Sequence, residues 1–464
     1  MSKTNISLLF KDILIKGTEF YNSGDILNYQ NMIRAGANIV KKLLENKYYE
    51  HALAFEIHLY NKLVCLFEQE ENHFLSFSHY SNNFFDCGKS LSSPYNQEFA
   101  PNQDCAFVIH NNSMLGHTEV MCQILLNSQR NRRLTVIPLN QTSDTRLDKI
   151  LSNSGINLVY PPKNIDQRGK FFWIRGYSFF NQITNAIWVS APPNASFALG
   201  IGLAQRQLFW SLRFHAIWHP NVLHIGLPKV GSGDFDNKNG SIIRKNGNDW
   251  VGFKAPMKSK INVDSSLKTT IKERFQGFYI FGTVSRSTKL TKDFINCVGN
   301  ILQRCQQAVF IIGTDAPLAD VIMDESLKTV VDRIHNFGWV DSPSFNSAID
   351  CYLEPFPFGT GITGRQALEV GCLLNSLWDR NTLPHFYFKA IEEQKQFSAN
   401  WRATKSVATY IENAISAYEG DWVREDEDIA LKFNELDGDP SADFFEIVDN
   451  FDRHVSYQSP FMPE

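Results

Sequence analysis

The amino-acid sequence reads as an α/β protein, with two Rossmann-like domains preceded by an α-helical region. Three observations carry this. Apolar residues recur at helical spacing within residues 1–95, short apolar strands alternate with helix-length segments from Asp104 onward, and that alternation restarts at Phe278 after a polar stretch. Strands separated by helix-length segments imply right-handed crossovers, hence a parallel sheet with helices on both faces. A chain of 464 residues is long enough for two or three domains. The boundaries expected are 1–95 for the helical region, 96–256 for the first Rossmann-like domain, and 257–464 for the second with its terminal helices.

In the helical region, Met32, Ile33, Ala35, Ile39, Val40, Leu43 and Leu44 define one amphipathic stretch, and Ala52, Leu53, Phe55, Ile57, Leu59, Leu63 and Leu66 a second. The pair is similar to one unit of a tetratricopeptide array. No second copy follows at a fixed period, however, and a solenoid needs several. A small cap, or a domain that docks an acceptor, fits better.

From Asp104, strands are expected at Cys105–His110, Leu134–Pro138, Ile156–Tyr160, Ala186–Ser190 and Val222–Leu227, with helices over Gly116–Gln129 and Thr142–Ser154. Residues 231–249, rich in Gly, Asn and Asp, read as a loop, and the polar segment from Met257 to Glu273 as the join between the halves. The second half has strands at Phe278–Thr283, Ala308–Gly313, Arg333–Val340 and Cys351–Pro355, and helices over Thr291–Gln306 and Thr363–Gly371. Beyond Ser406 only helices are expected. Ligands of open sheets bind outside the carboxyl ends of the strands, which places the expected site in a cleft between the halves.

Composition narrows the partners. A net charge of −4 provides no global basic field for nucleic acid or an anionic membrane. The first twenty residues are too polar for a signal peptide, and no window approaches the roughly twenty apolar residues of a spanning helix. Eight cysteines occur without a CxxC pair, so buried, reduced thiols in a cytoplasmic protein are expected. Peripheral attachment to a membrane stays open.

Two segments carry chemistry. In Phe281–Leu290 (FGTVSRSTKL) a strand ends in Gly and hydroxyl residues, and a basic pair precedes the next helix. Helix N-termini offer unpaired N–H groups and a positive dipole end. Arg286, Ser287 and Lys289 are therefore candidates to hold a diphosphate, with Arg286 or Lys289 supplying charge that a divalent ion would otherwise bring. A basic pair on a solvated loop is the alternative. In Glu354–Gly364 (EPFPFGTGITG) two prolines stiffen a strand exit, and Gly359, Gly361 and Gly364 let backbone approach a ligand closely. Phe358, Thr360 and Thr363 complete that loop, and the following helix points its N-terminus at the same place.

The run PFPFGTGITG, followed two residues on by ALEVG, resembles the donor loop of bacterial cytoplasmic N-glycosyltransferases that modify adhesins, relatives of O-GlcNAc transferase. The resemblance spans about residues 278 to 380. It implies a GT-B type fold, two Rossmann-like domains facing a cleft. It also implies transfer of a sugar, by default from a UDP-hexose, to a protein acceptor, with inversion and with neither metal nor other cofactor. On the same resemblance Lys289 is the donor-phosphate lysine and His335 the nucleotide-contacting histidine. Thr360 stands where the N-glycosyltransferases carry asparagine, and Gln366 where relatives place a ribose-binding aspartate. Glu369 enters as another partner for the ribose hydroxyls, or as an ordinary helix-dipole charge.

In the first half, Phe107–Thr118 is similar to the first strand–loop–helix of the O-GlcNAc transferase class, whose loop carries a histidine close to the transfer site. That makes His117 the candidate base or orienting group, against a capping or packed histidine. His215 and His219, in RFHAIWHP, are acceptor-side candidates whose spacing equally suits packing; lacking a third ligand, they define no metal site. Rival readings are a transferase acting on a polysaccharide or lipid-linked glycan, a nucleotide-sugar 2-epimerase, and a catalytically inert scaffold, the last kept open by Thr360 and Gln366. An NAD-linked enzyme is disfavoured because Gly313-Thr314-Asp315 lacks GxGxxG. The N-terminal helices leave a second copy or another partner open.

Overall fold

In the computed structural model the chain opens with helices α1 (Lys3–Asn22), α2 (Ile26–Glu45), α3 (Tyr49–Leu59) and α4 (Phe74–Leu91). The structure describes residues 3–22, 26–60, 63, 74–92, 103–114, 116–128, 132–189, 193–211, 219, 221–226, 251–253, 263–314, 329–356, 362–377, 398–426, 428–429, 431–432 and 440–457. The chain divides into two units, one of Met1–Pro256 with Asp439–Glu464 and one of Met257–Gly438.

The first unit continues with β1 (Cys105–Asn111), α5 (Gly116–Leu126), β2 (Leu134–Asn140), α6 (Arg146–Ser154), β3 (Asn157–Leu158), α7 (Gln167–Phe180), β4 (Asn185–Val189), α8 (Ala195–Ile201), β5 (Arg206–Trp210), β6 (Val222–Gly226) and β7 (Val251–Gly252). These strands form a sheet of order β3-β2-β1-β4-β5-β6-β7, every described pairing parallel. β4 is buried throughout and β1 and β2 nearly so, which explains their unbroken apolar runs: strands covered on both faces show no alternation.

The helical region is part of this unit. The carboxylate of Glu50 accepts from the first free N–H groups of α7, at Gln167 (3.1 Å) and Arg168 (3.0 Å), a helix N-terminus neutralised by an anion. One turn and a half along α3, buried Glu56 accepts from the backbone of Asn194, just ahead of α8. Gly88 and Gly200 let α4 and α8 touch: a Cβ at Gly88 would stand 2.3 Å from the Phe197 carbonyl oxygen, and one at Gly200 2.1 Å from that of Phe85. The boundary expected at residue 95 thus separates segments that pack as one body.

The second unit holds α9 (Ser265–Arg274), β8 (Tyr279–Val284), a 3₁₀ turn (Ser287–Lys289), α10 (Lys292–Arg304), β9 (Ala308–Gly313), β10 (Ile334–Asn336), α11 (Ser342–Asn346), β11 (Cys351–Leu353), α12 (Ile362–Glu369), β12 (Leu373–Leu377), β13 (Trp401–Thr404) and α13 (Val407–Glu419). Its parallel sheet runs β10-β9-β8-β11-β12-β13. The strand expected over Arg333–Val340 stops at Asn336, and Gly338 then takes φ +71°, a left-handed turn that ends it.

The last helices, α14 (Pro440–Asp449) and α15 (Phe451–Tyr457), belong to the first unit, which corrects their assignment to the second half. The reason is aromatic packing and charge. Buried Phe444 meets Trp210 (4.5 Å between ring centres), Phe253 (5.1 Å) and Phe107 (6.0 Å). Ser441 donates its hydroxyl to the Ile124 carbonyl at 2.9 Å. Arg132 forks onto Asp449, lying over the Phe445 ring at 4.1 Å, and Arg206 pairs with Asp452.

Candidate functional site

In the second unit β8 stands centrally. The chain proceeds outward through β9 and β10, then returns to the other side of β8 for β11, β12 and β13. The order therefore reverses between β8 and β11, and the carboxyl ends there frame a crevice. The two segments singled out by sequence leave the sheet at these ends.

They are tied together. Thr291 caps α10, its Oγ1 accepting from Phe294 N–H (3.3 Å), while its hydroxyl donates to the Phe356 carbonyl across the switch point (2.8 Å). Phe356 packs edge-on against Phe294 and Tyr410, and the Tyr410 hydroxyl donates to the Glu354 carbonyl (3.1 Å). Tyr352 of β11 reaches β8, accepting from Val284 N–H and donating to Val284 C=O. Lys289, half-buried, closes the 3₁₀ turn on this edge, with exposed Arg286 and half-buried Ser287 before it. At the end of β8, the hydroxyl oxygens of buried Thr283 and Ser285 have no hydrogen-bond partner among the described residues. Being two apart on an extended chain, both side chains face the same way. Burying an unpaired hydroxyl costs about 1–3 kcal/mol, so such a pair invites a polar ligand.

The other expected residues divide. Phe358, Gly359, Thr360, Gly361 and His215 lie outside the described residues. Thr363 and Gly364 occupy the first turn of α12, where the Thr363 carbonyl accepts from the Asn346 amide (3.1 Å). Gln366 is buried within α12. Glu369 ends that helix, seven residues and so about 10 Å beyond its start, where its carboxylate meets Arg365 at 2.8 Å with side chains 3% and 1% exposed. This pairing lies within its own helix. His335 sits mid-strand in β10, opposite Ile311, with its ring tilted on Phe275 at 4.8 Å. A mid-strand side chain stands off the face of the sheet, not its end, and burial, then Arg274, holds the imidazole below its ordinary pKa.

In the first unit the order reverses between β1 and β4, so the loop leading to His117 leaves the sheet at a second switch point. Buried Asn112 organises it: its Oδ1 accepts from the Thr142 N–H (2.7 Å) and hydroxyl (2.9 Å), and its Nδ2 donates to the Asp144 carbonyl (2.9 Å) and Asp148 Oδ1 (3.0 Å). Asp144 accepts from Met114 N–H at 2.9 Å, and Arg146 beside it holds its carboxyl well below the usual range. Half-buried His117 is the second residue of α5 on this fixed loop. His219, by contrast, is 1% exposed and stacked on Phe85 at 4.2 Å. Burial, then His224, pushes its imidazole well below the ordinary value, and its stacking on Phe85 is that of a packed core residue. Among the described residues no three His, Cys, Asp or Glu side chains cluster as metal ligands would.

Sequence reasoning passed over Ser285, Thr291, Asn112 and the two stapling tyrosines. The hydroxyls of FGTVS and STKLT were visible as a pattern, but only the burial of Thr283 and Ser285 and the Thr291 bond to Phe356 give them a role.

No protein-family model and no curated protein matches the chain. Solved structures do. A lysine-to-methionine mutant of the Thermobaculum terrenum O-GlcNAc transferase aligns with a TM-score of 0.55 at 11% identity, over 99% of both chains. A glycosyltransferase from Rickettsia africae aligns with a TM-score of 0.47 at 13% identity, over 79% of this chain and 100% of its own. HepE of Anabaena, in complex with UDP and glucose, aligns with a TM-score of 0.44 at 12% identity, over 72% and 98%. The full-length likeness is one of fold: the architecture is that of the GT-B glycosyltransferases.

Proposed function

We propose that the chain is a glycosyltransferase that seats the diphosphate of a nucleotide-sugar donor at the β8/β11 crevice of its second unit. The observation that carries this reading is the staple across that switch point: the Thr291 hydroxyl on the Phe356 carbonyl holds the Lys289 loop beside the first residues after β11. The two loops so joined bring a cation, buried hydroxyls and the start of α12 to one sheet edge.

Transfer breaks the bond between the anomeric carbon and the diphosphate while an acceptor nucleophile attacks that carbon and gives up a proton. Lys289, with Arg286 near it, balances the charge that develops on the departing diphosphate. One well-placed donor of this kind contributes on the order of 3 kcal/mol to the barrier. Two cations in that role favour chemistry without a divalent metal. UDP-hexose as donor, a protein as acceptor and inversion rest on the resemblance of the PFPFGTGITG run, and the separate resemblance of Phe107–Thr118 makes His117 the candidate base or orienting group.

Calorimetric titration with UDP, GDP, CMP and TDP, in EDTA and again with Mg²⁺, tests the reading. One nucleotide is expected to bind in EDTA, and Lys289→Ala to weaken it by about 10- to 150-fold, the equivalent of 1.5–3 kcal/mol. Binding that needs Mg²⁺ removes the metal-free mechanism. Failure of every nucleotide to bind removes the donor site.

A further inference from the structure

Resting on that reading, we propose that Trp339 is the stacking platform for the donor's nucleobase. Two exposed aromatic side chains occur among the described residues of the second unit. Phe278 precedes β8 at the amino edge of the sheet; Trp339, 55% exposed, stands in the loop that leaves β10 at the carboxyl edge, where ligands of this fold bind.

The loop is fixed, and the indole is the part of it left out. Phe337 N–H donates to the Ile312 carbonyl at 2.8 Å, and its ring packs against Phe345 and Phe275. Asn336 Oδ1 accepts from Gly338 N–H (2.8 Å), and Gly338 turns the chain with φ +71°. Val340 then folds back onto the end of β9: a Cβ on Gly313 would lie 2.4 Å from Val340 Cγ2. Gly313 in turn accepts from Ser285 N–H at 3.0 Å. A continuous path therefore joins the Trp339 loop to buried Ser285, whose hydroxyl oxygen has no partner among the described residues. β10 lies two strands from β8, about 10 Å at ordinary strand spacing. That matches the distance from a diphosphate to its base in an extended nucleotide.

An indole held at such an edge offers a π-face that any base can stack on, with affinity effects near tenfold or more when it is removed.

The test uses the full chain and three forms: wild type, Trp339→Phe and Trp339→Leu. Each is titrated with the nucleoside diphosphates and, separately, with inorganic pyrophosphate. The expected result is nucleotide binding weakened at least tenfold in Trp339→Leu, within about threefold of wild type in Trp339→Phe, and pyrophosphate binding equal in all three. Nucleotide affinity unchanged in Trp339→Leu overturns the stacking role and leaves the donor site standing. Equal loss of nucleotide and pyrophosphate also overturns it, because the effect is then on the loop and not on the base. Wild type binding neither ligand removes the donor reading and this proposal together.

Discussion

Phe444→Ala asks whether the chain's last helices are integral to the first unit. Phe444 is fully buried among Phe107, Trp210, Phe253 and Phe445, with ring centres 4.5 to 6.0 Å away. Truncating a buried Phe to Ala costs about 3–5 kcal/mol through lost transfer energy and the cavity left behind. Four rings around one site cannot readily collapse into the space, which places the expected cost near 4 kcal/mol. In a unit of this size each kcal/mol lowers the melting temperature by about 2 °C. The first unit should therefore melt about 8 °C lower, while the second unit, which Phe444 does not belong to, keeps its transition. Differential scanning calorimetry resolves the two if they melt separately, and limited proteolysis followed by mass spectrometry assigns them. A drop below about 3 °C, or one confined to the second unit, would refute the packing argument.

Glu56 carries a pH prediction. Burial holds its carboxyl well above the ordinary range, with the Asn194 N–H partly opposing. The folded chain thus keeps a proton that the unfolded chain releases, so this group's contribution to stability is lost as pH rises from the ordinary glutamate pKa toward the raised one. Glu56→Gln, an uncharged isostere, should flatten that decline and stabilise the fold at pH 8; denaturation series with the same slope for both proteins would contradict this. Asn112→Ala removes four side-chain hydrogen bonds, three to the loop after β2 and one to Asp148 in α6. It should cost roughly 2–4 kcal/mol in urea unfolding and speed amide exchange at residues 112–118; a cost below about 0.5 kcal/mol would mean the network does not order the loop.

Much of the fold was legible because the central strands of both sheets are buried on both faces. Runs such as CAFVIH, LTVIP and AVFIIG admit little else, and the helix-length gaps between them dictate a parallel sheet. The strands that escaped were the two-residue β7 and, where polar residues break the apolar run, β5 (RQLFW), β12 (LLNSL) and β13 (WRAT). α9 escaped as well: its single buried residue, Ile271, gives no amphipathic pattern, so the segment reads as a linker. The docking of α14 could not be read at all, since Phe107 and Phe444 meet across more than three hundred residues of chain. At the site, the Lys289 loop was legible because a strand exit with hydroxyls and a basic pair is a local pattern. For His335 and Glu369 the sequence could not show the neighbours, because a histidine beside aromatics and a glutamate four residues from an arginine suit packing and binding equally well; the contacts with Phe275 and Arg365 appear only in the fold. Trp339 drew no notice in the sequence because exposure is not a property of composition.

The return of α14 and α15 to the first unit makes the second unit an insertion in the chain order of the first. During synthesis, Trp210 and Phe253 leave the ribosome long before Phe444, the ring that lies against both of them. At 5–20 residues per second, the intervening stretch takes on the order of 10–40 seconds to make. For that interval the nascent first unit shows an open aromatic face while the second unit folds behind it. Messages cut short, or ribosomes that stall late, would release a product with an intact second unit and a sticky, incomplete first one. Chaperones and proteases would meet this protein at that face.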